Sequence, residues 1–130
     1  MSDPSYAIEI RGDVLCAKLV GKWDLATDVT YNVKFTTMAQ KIRNRPWGIL
    51  CDMSDWPLTI KEPRDRSLIK EFDRRNQIAE CWVIQNEDQV KALEPFIRRH
   101  PQIQLAWFRT VEEADNWLMQ QPLTYYSQAL

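Results

Sequence analysis

The sequence predicts an α/β domain, a mixed sheet with helices packed on its faces, in the order β-β-α-β-α-β-α-β-α. Three observations carry this. The first twenty residues alternate in polarity as a hairpin does, short apolar runs recur at residues 47–53, 78–84 and 103–108, and segments of helical period separate those runs. Strands alternating with helices in this way form parallel pairs joined by right-handed crossovers.

The elements follow in order. Tyr6, Ile8 and Ile10 share one face of residues 6–11, with Ala7, Glu9 and Arg11 on the other. That is the period of a half-buried strand. Gly12-Asp13 is a tight hairpin signal, residues 14–20 are the return strand, and Gly21 closes it. A helix is expected over about residues 25–43, because Tyr31, Phe35, Met38 and Ile42 fall at i, i+4, i+7 and i+11 and make one stripe for the sheet. Leu25, Val29 and Val33 keep a helical spacing too, but point to nearly the opposite side. Either the start of the helix is irregular or tucked against the carboxyl tail, or this second face lines a ligand pocket or a partner contact. Pro46 ends the helix region by pushing Arg45 out of the α conformation.

Residues 47–53 are too short for a helix and apolar enough to be buried on both faces of a sheet. A polar, Pro-containing loop follows from Ser54 to Thr59. Ligands of α/β proteins usually sit at the carboxyl ends of central strands, which draws attention to Trp56, Leu58 and Ile60. Apolar residues in a loop either fold down as a lid over the sheet edge or meet a hydrophobic ligand or a protein. A second helix is expected over about residues 63–76, opened by Pro63. It buries Leu68, Ile69 and Phe72 and keeps Arg64, Arg66, Lys70, Arg74 and Arg75 wet among acidic neighbours. Residues 78–84 read as a buried parallel strand. Asn86 caps a helix to about residue 98, with Val90, Leu93 and Ile97 inward and Pro95 as a kink. After the strand 103–108, Thr110 and Glu113 have the spacing of a capping box, and Val111, Ala114 and Leu118 form the stripe of the last helix. The tail beyond Pro122 carries Leu123, Tyr125, Tyr126 and Leu130, too apolar for a plain linker. The expectation is a single domain over residues 1–130, with its core at about 6–119 and a tail at 120–130.

Composition narrows the function. Seventeen basic residues against 18 acidic ones give a formal charge of −1, whereas nucleic-acid binding needs a basic excess. The amino terminus has no basic region followed by an apolar one, and no apolar run nears the roughly 18 residues of a membrane span. Three cysteines, an odd number without Cys-x-x-Cys spacing, read as reduced core thiols. A cytoplasmic protein is expected. With three glycines and no Gly-rich phosphate loop, no nucleotide cofactor is implied. His100 is the only histidine, and it sits in a surface loop where no metal set can form from its neighbours. Asp52 and Asp55 flank the end of the central strand; they are either an acid/base pair or one turn cap and one solvated side chain. Six Trp in a chain of 130 is high; a Trp buries about 150–250 Å², so several must be core.

Four stretches carry a family likeness: the opening hairpin, Gly21-Lys22-Trp23-Asp24, Leu50-Cys51-Asp52-Met53-Ser54, and the close from Phe108 through Thr110, Glu113 and Ala114 to Trp117-Leu118. In these the chain resembles the SpoIIAA-like branch of the STAS (sulfate transporter and anti-sigma factor antagonist) superfamily, over about residues 6–119. The resemblance implies a four- or five-stranded mixed sheet flanked by about four helices and a non-enzymatic role. In this branch a likeness to CRAL-TRIO lipid-transfer domains also implies binding of apolar small molecules. The phosphorylated Asp-Ser-Ser-Gly-type motif of the anti-sigma antagonists is missing: Asp55-Trp56-Pro57-Leu58-Thr59-Ile60 stands there. The expected function is therefore non-catalytic binding of a hydrophobic small molecule or lipid, or of a protein partner, through Trp23, Val29, Val33, Trp56, Leu58 and Ile60. The alternative is a regulatory interaction module without the phosphoserine switch, with an Asp-based enzyme third. Oligomeric state is left open.

Overall fold

In the computed structural model, which describes residues 3–57 and 72–127, the alternating first residues form β1 (Ser5–Arg11) and β2 (Val14–Val20), an antiparallel pair. Gly12 turns between them at φ +65°, and a Cβ there would lie 2.5 Å from the Thr124 carbonyl oxygen. Glycine meets both demands, a left-handed backbone and close approach of a second strand of chain. Asp24 caps α1 (Leu25–Ala39) by accepting from the Thr27 N–H at 2.8 Å. The helix stops four residues before the expected end, yet Ile42 still reaches the core from the turn beyond it.

β3 (Trp47–Asp55) runs two residues past its expected end, so the loop at its tip starts at Trp56. The expected Leu58 and Ile60, and residues 63–71 of the expected second helix, lie outside the described residues. Residues 72–76, its expected last turn, are not helical. β4 (Gln77–Val83), α2 (Glu87–Ile97), β5 (Gln104–Phe108) and α3 (Val111–Met119) complete the chain. Asn86 and Gln89 make a full capping box at α2, which carries Pro95 in its last turn. At α3 only half of the expected box exists: the Thr110 hydroxyl accepts from the Glu113 N–H, but the Glu113 carboxylate takes the hydroxyl proton at 2.9 Å. Val111, expected inward, is 39 % exposed.

The strands lie in sequence order, β1-β2-β3-β4-β5, with β2 through β5 parallel. β3 is thus central, as its two-sided apolar run requires. Right-handed crossovers that always step the same way place their connections on one face. Accordingly α1 and α2 share a face: Phe35, Ala39, Val90 and Ile97 pack with Leu15, Ile49 and Trp82. α3 follows the last strand and is released from that rule. It covers the opposite face, where Ala114, Leu118 and Tyr125 pack on Val14, Leu50 and Cys81. The tail is pinned there by two bonds, Asp13 N–H to the Thr124 carbonyl at 2.8 Å and Thr124 N–H to the Asp13 carboxylate at 3.0 Å. It is part of the fold, as its apolar content predicts.

Candidate functional site

Side chains on a strand alternate between faces, so β3 sends Ile49, Cys51 and Met53 toward α1 and α2, and β4 sends Glu80 and Trp82 the same way. Between them and the helices a half-open cleft of about 120 Å³ remains. Helix α1 contributes Asp28, Tyr31, Asn32 and Phe35, three to four residues apart and therefore on one side. Helix α2 contributes Leu93, Phe96 and Ile97. Trp23 and Trp56 close one end, their rings 5.5 Å apart, and Phe72 and Arg74 form another wall. Edge-to-face contacts join Trp23 to Tyr31 and Phe35 to Phe72, with a tilted contact between Tyr31 and Phe35, arrangements that favour packing of aromatic rings.

Under this aromatic wall lies a buried polar group that the sequence reading did not find. The Glu80 carboxylate accepts from Arg74 Nη1 at 2.7 Å, Gln77 Nε2 at 2.9 Å and Trp82 Nε1 at 2.7 Å. Arg74 and Glu80 are 9 % and 7 % exposed, so the pair is buried. Arg74, expected as a wet helix residue, instead stacks its guanidinium 4.1 Å from the Phe72 ring centroid. A signal was present. A carboxylate in the otherwise apolar run Ala79 to Val83 must meet a cation or several donors when buried, and Arg74 precedes it by six residues.

The other reactive groups are held in structural roles. Asp52 accepts from the Ser54 N–H at 3.0 Å and the Ser54 hydroxyl at 2.7 Å, while Asp55 is exposed and lies 3.8 Å from Lys18. They form a turn and a solvated pair partner. Burial pushes the Tyr31 phenol well above its ordinary value, with the Cys51 and Glu80 charges acting in the same direction. Burial likewise raises the Cys51 thiol. Cys16 and Cys81, on the other face, are raised to about 12 by burial. Thiols so raised are poor nucleophiles. Among the described residues no three His, Cys, Asp or Glu side chains group as a metal site, and no helix is long and apolar enough to cross a membrane.

Of the residues singled out in the sequence, Trp23 and Trp56 line the cleft. Val29 and Val33 do not: they are 42 % and 63 % exposed on the outer side of α1, with Leu25 beside them at 66 %. The helix is regular from its first turn and the tail packs on the opposite face of the sheet, so neither irregularity nor the tail accounts for this stripe. Periodicity gave its direction correctly and could not say what covers it. Leu58 and Ile60 lie outside the described residues.

No protein-family model matches the sequence, and no curated protein matches it. Among solved structures, the chain is similar to an uncharacterised protein of the DUF3478 family from Shewanella loihica PV-4, which has a SpoIIAA-like fold. The two superpose with a TM-score of 0.66 at 19% identity, over 91% of this chain and 98% of the other. The sequential five-stranded sheet with its opening hairpin, and this superposition, establish the architecture: the chain has a SpoIIAA-like fold.

Proposed function

We propose that this protein is a non-catalytic binding domain whose cleft between α1, α2 and the sheet takes a small hydrophobic molecule. The observation that carries the reading is the cleft itself, about 120 Å³ walled by Trp23, Tyr31, Phe35, Trp56 and Trp82. Native interiors leave few voids of this size. An engineered apolar cavity of about 150 Å³ holds one benzene, and pockets for drug-sized ligands run to roughly 300–1,000 Å³. The size therefore favours a single-ring ligand over a whole lipid, with any longer part lying outside the mouth. Absence of catalysis is supported by the engagement of the polar groups: Glu80 is held by three donors, Asp52 by Ser54, and the Cys51 thiol is raised by burial.

The test is a panel of single-ring aromatics and acyl lipids followed by tryptophan emission, with native mass spectrometry for co-purified species. Saturable emission changes with ring compounds, lost in Leu93→Phe, which fills the cleft, are expected. A panel in which nothing binds ends the reading. A second reading, a regulatory protein contact, is favoured by Leu25, Val29 and Val33, an exposed apolar row at i, i+4 and i+8. Under it Val29 and Val33 act as contact groups rather than pocket groups.

A further inference from the structure

Helix α2 lines the cleft with Leu93 and Ile97, and one turn nearer its start the same side carries Gln89. Gln89 is 1 % exposed, and both its amide oxygen and its amide nitrogen are fully engaged. Oε1 accepts from the Gln85 and Asn86 N–H groups at 2.6 and 3.3 Å, at the cap of the helix. Nε2 donates to the Met53 carbonyl at 2.8 Å and to the Trp56 carbonyl at 2.7 Å. Those two carbonyls bound one turn, closed by the Trp56 N–H on the Met53 carbonyl at 3.2 Å. Met53 and Trp56 both line the cleft. The turn lies where the sheet stops helping: Asp55 is the last paired residue of β3, and Pro57 brings no N–H.

The end wall of the cleft is built of two rings anchored separately. The Trp23 indole N–H is held between the Val20 and Ser5 carbonyls at 3.1 and 3.2 Å, on the main chain of the hairpin. Trp56 meets it with ring centroids 5.5 Å apart, from the turn to which Gln89 is bonded. An apolar side chain at position 89 would continue the stripe of α2 and fill the same space. It would also withdraw hydrogen bonds from poorly solvated main-chain groups at the cap and at the turn, which is costly. Glutamine is the side chain that joins the two, accepting at one and donating at the other. We infer that Gln89 is the positioning residue of the cleft, fixing the Trp56 turn to α2 and so holding the Trp56 ring against Trp23 as the end wall. This rests on the cleft being a ligand site and adds what sets its shape.

The experiment reads the Trp23–Trp56 contact as an exciton couplet in far-UV circular dichroism, and affinity by titration calorimetry with toluene. Among the described residues this is the one contact between two Trp rings, so Trp23→Phe identifies the couplet. Gln89→Glu keeps an accepting oxygen at the cap and sets a second oxygen against the Met53 and Trp56 carbonyls. It is expected to weaken the couplet and to loosen toluene binding about ten-fold. Asn86→Ala removes a cap bond, from the Asp88 N–H at 3.0 Å, without touching the turn. It should lower the urea midpoint and leave couplet and affinity at their wild-type values. A Gln89→Glu couplet equal to that of the wild type overturns the positioning role, and toluene binding to both then leaves the cleft standing as a ligand site. A lost couplet with unchanged toluene affinity overturns it as well, because the ring then bounds nothing that the ligand meets. If neither toluene nor any other ring compound binds the wild type, the cleft reading falls and takes this role with it. The native chain supplies a measurement that needs no folded variant. By NMR the Gln89 side-chain amide protons should exchange far more slowly than those of the exposed Gln40 and should shift on toluene addition; equal exchange rates overturn the proposal.

Discussion

The two faces of the sheet are built differently. On the α3 face Val14, Cys16, Leu50, Cys81 and Val83 meet Ala114, Leu118 and Tyr125 in an apolar cluster, with the buried Asp52 held by Ser54 toward the strand end, and the pinned tail covers that packing. On the α1/α2 face the same strands present aromatic rings, a buried ion pair and a cleft. Both faces are backed by the same five strands, so the sheet cannot be the cause. The difference lies in what the alternate residues of β4 are: Ala79, Cys81 and Val83 on one side, Glu80 and Trp82 on the other. One face is filled for stability, and the other gives up filling for a polar cluster and a space beside it.

The largest test of that contrast is Glu80→Ala. It leaves Arg74, Gln77 and Trp82 without their buried acceptor and is expected to cost about 3–5 kcal/mol in urea unfolding. Adding Arg74→Met should return a good part of the loss. A cost near that of an ordinary surface change, about 0.5 kcal/mol, would mean the polar cluster does not hold this face together.

A smaller effect separates the faces by overfilling them. Val83→Phe adds volume where Val83 is 1 % exposed against α3 and should cost about 1–3 kcal/mol. Leu93→Phe adds volume toward the cleft and should stay below about 1 kcal/mol, because space is there to take it. Equal costs would erase the distinction between a packed face and an open one.

The mildest test uses the thiols. Cys51 lines the cleft, whereas Cys16 and Cys81 sit under α3. Burial raises Cys51 at least as far as the other two, so access alone sets the order. At pH 8 iodoacetamide should modify Cys51 first, slowly, with peptide masses as the readout and a bound ring compound slowing it further. Equal rates at all three would show that access comes from global opening. pH acts on both faces alike, since burial raises all three thiols. Folding raises the Cys16 and Cys81 thiols from 9.0 to about 12, so the protonated form is favoured in the folded state. Their contribution to stability is therefore complete below pH 9.0 and is lost as pH rises toward about 12.

Much of the fold was legible because its causes are local. The hairpin at Gly12, the caps at Asn86 and Thr110, and the two-sided apolar run of β3 each act within a few residues. The site was legible only in part. Trp23 and Trp56 could be picked out as aromatic residues beside a central strand end, and they do line the cleft. Arg74 was missed, because an arginine among alternating charges reads as solvated unless it is matched to Glu80, the carboxylate in the apolar strand that follows. Val29 and Val33, expected as pocket or contact groups, lie outside the cleft for the opposite reason. A helical period fixes the angle of a side chain about its own axis, and what lies at that angle is set by elements distant in sequence.

The clasp between Asp13 and Thr124 joins residues 111 apart. Formed alone, it would close a loop whose entropic cost exceeds that of a ten-residue loop by about 2 kcal/mol, more than two exposed hydrogen bonds return. It becomes favourable only when the intervening sheet has already brought its ends together. The clasp therefore acts as a cooperativity device: the tail cannot detach cheaply while the sheet persists, nor hold on once the sheet opens. Loosening confined to the cleft side can then occur while the closed face stays intact behind it.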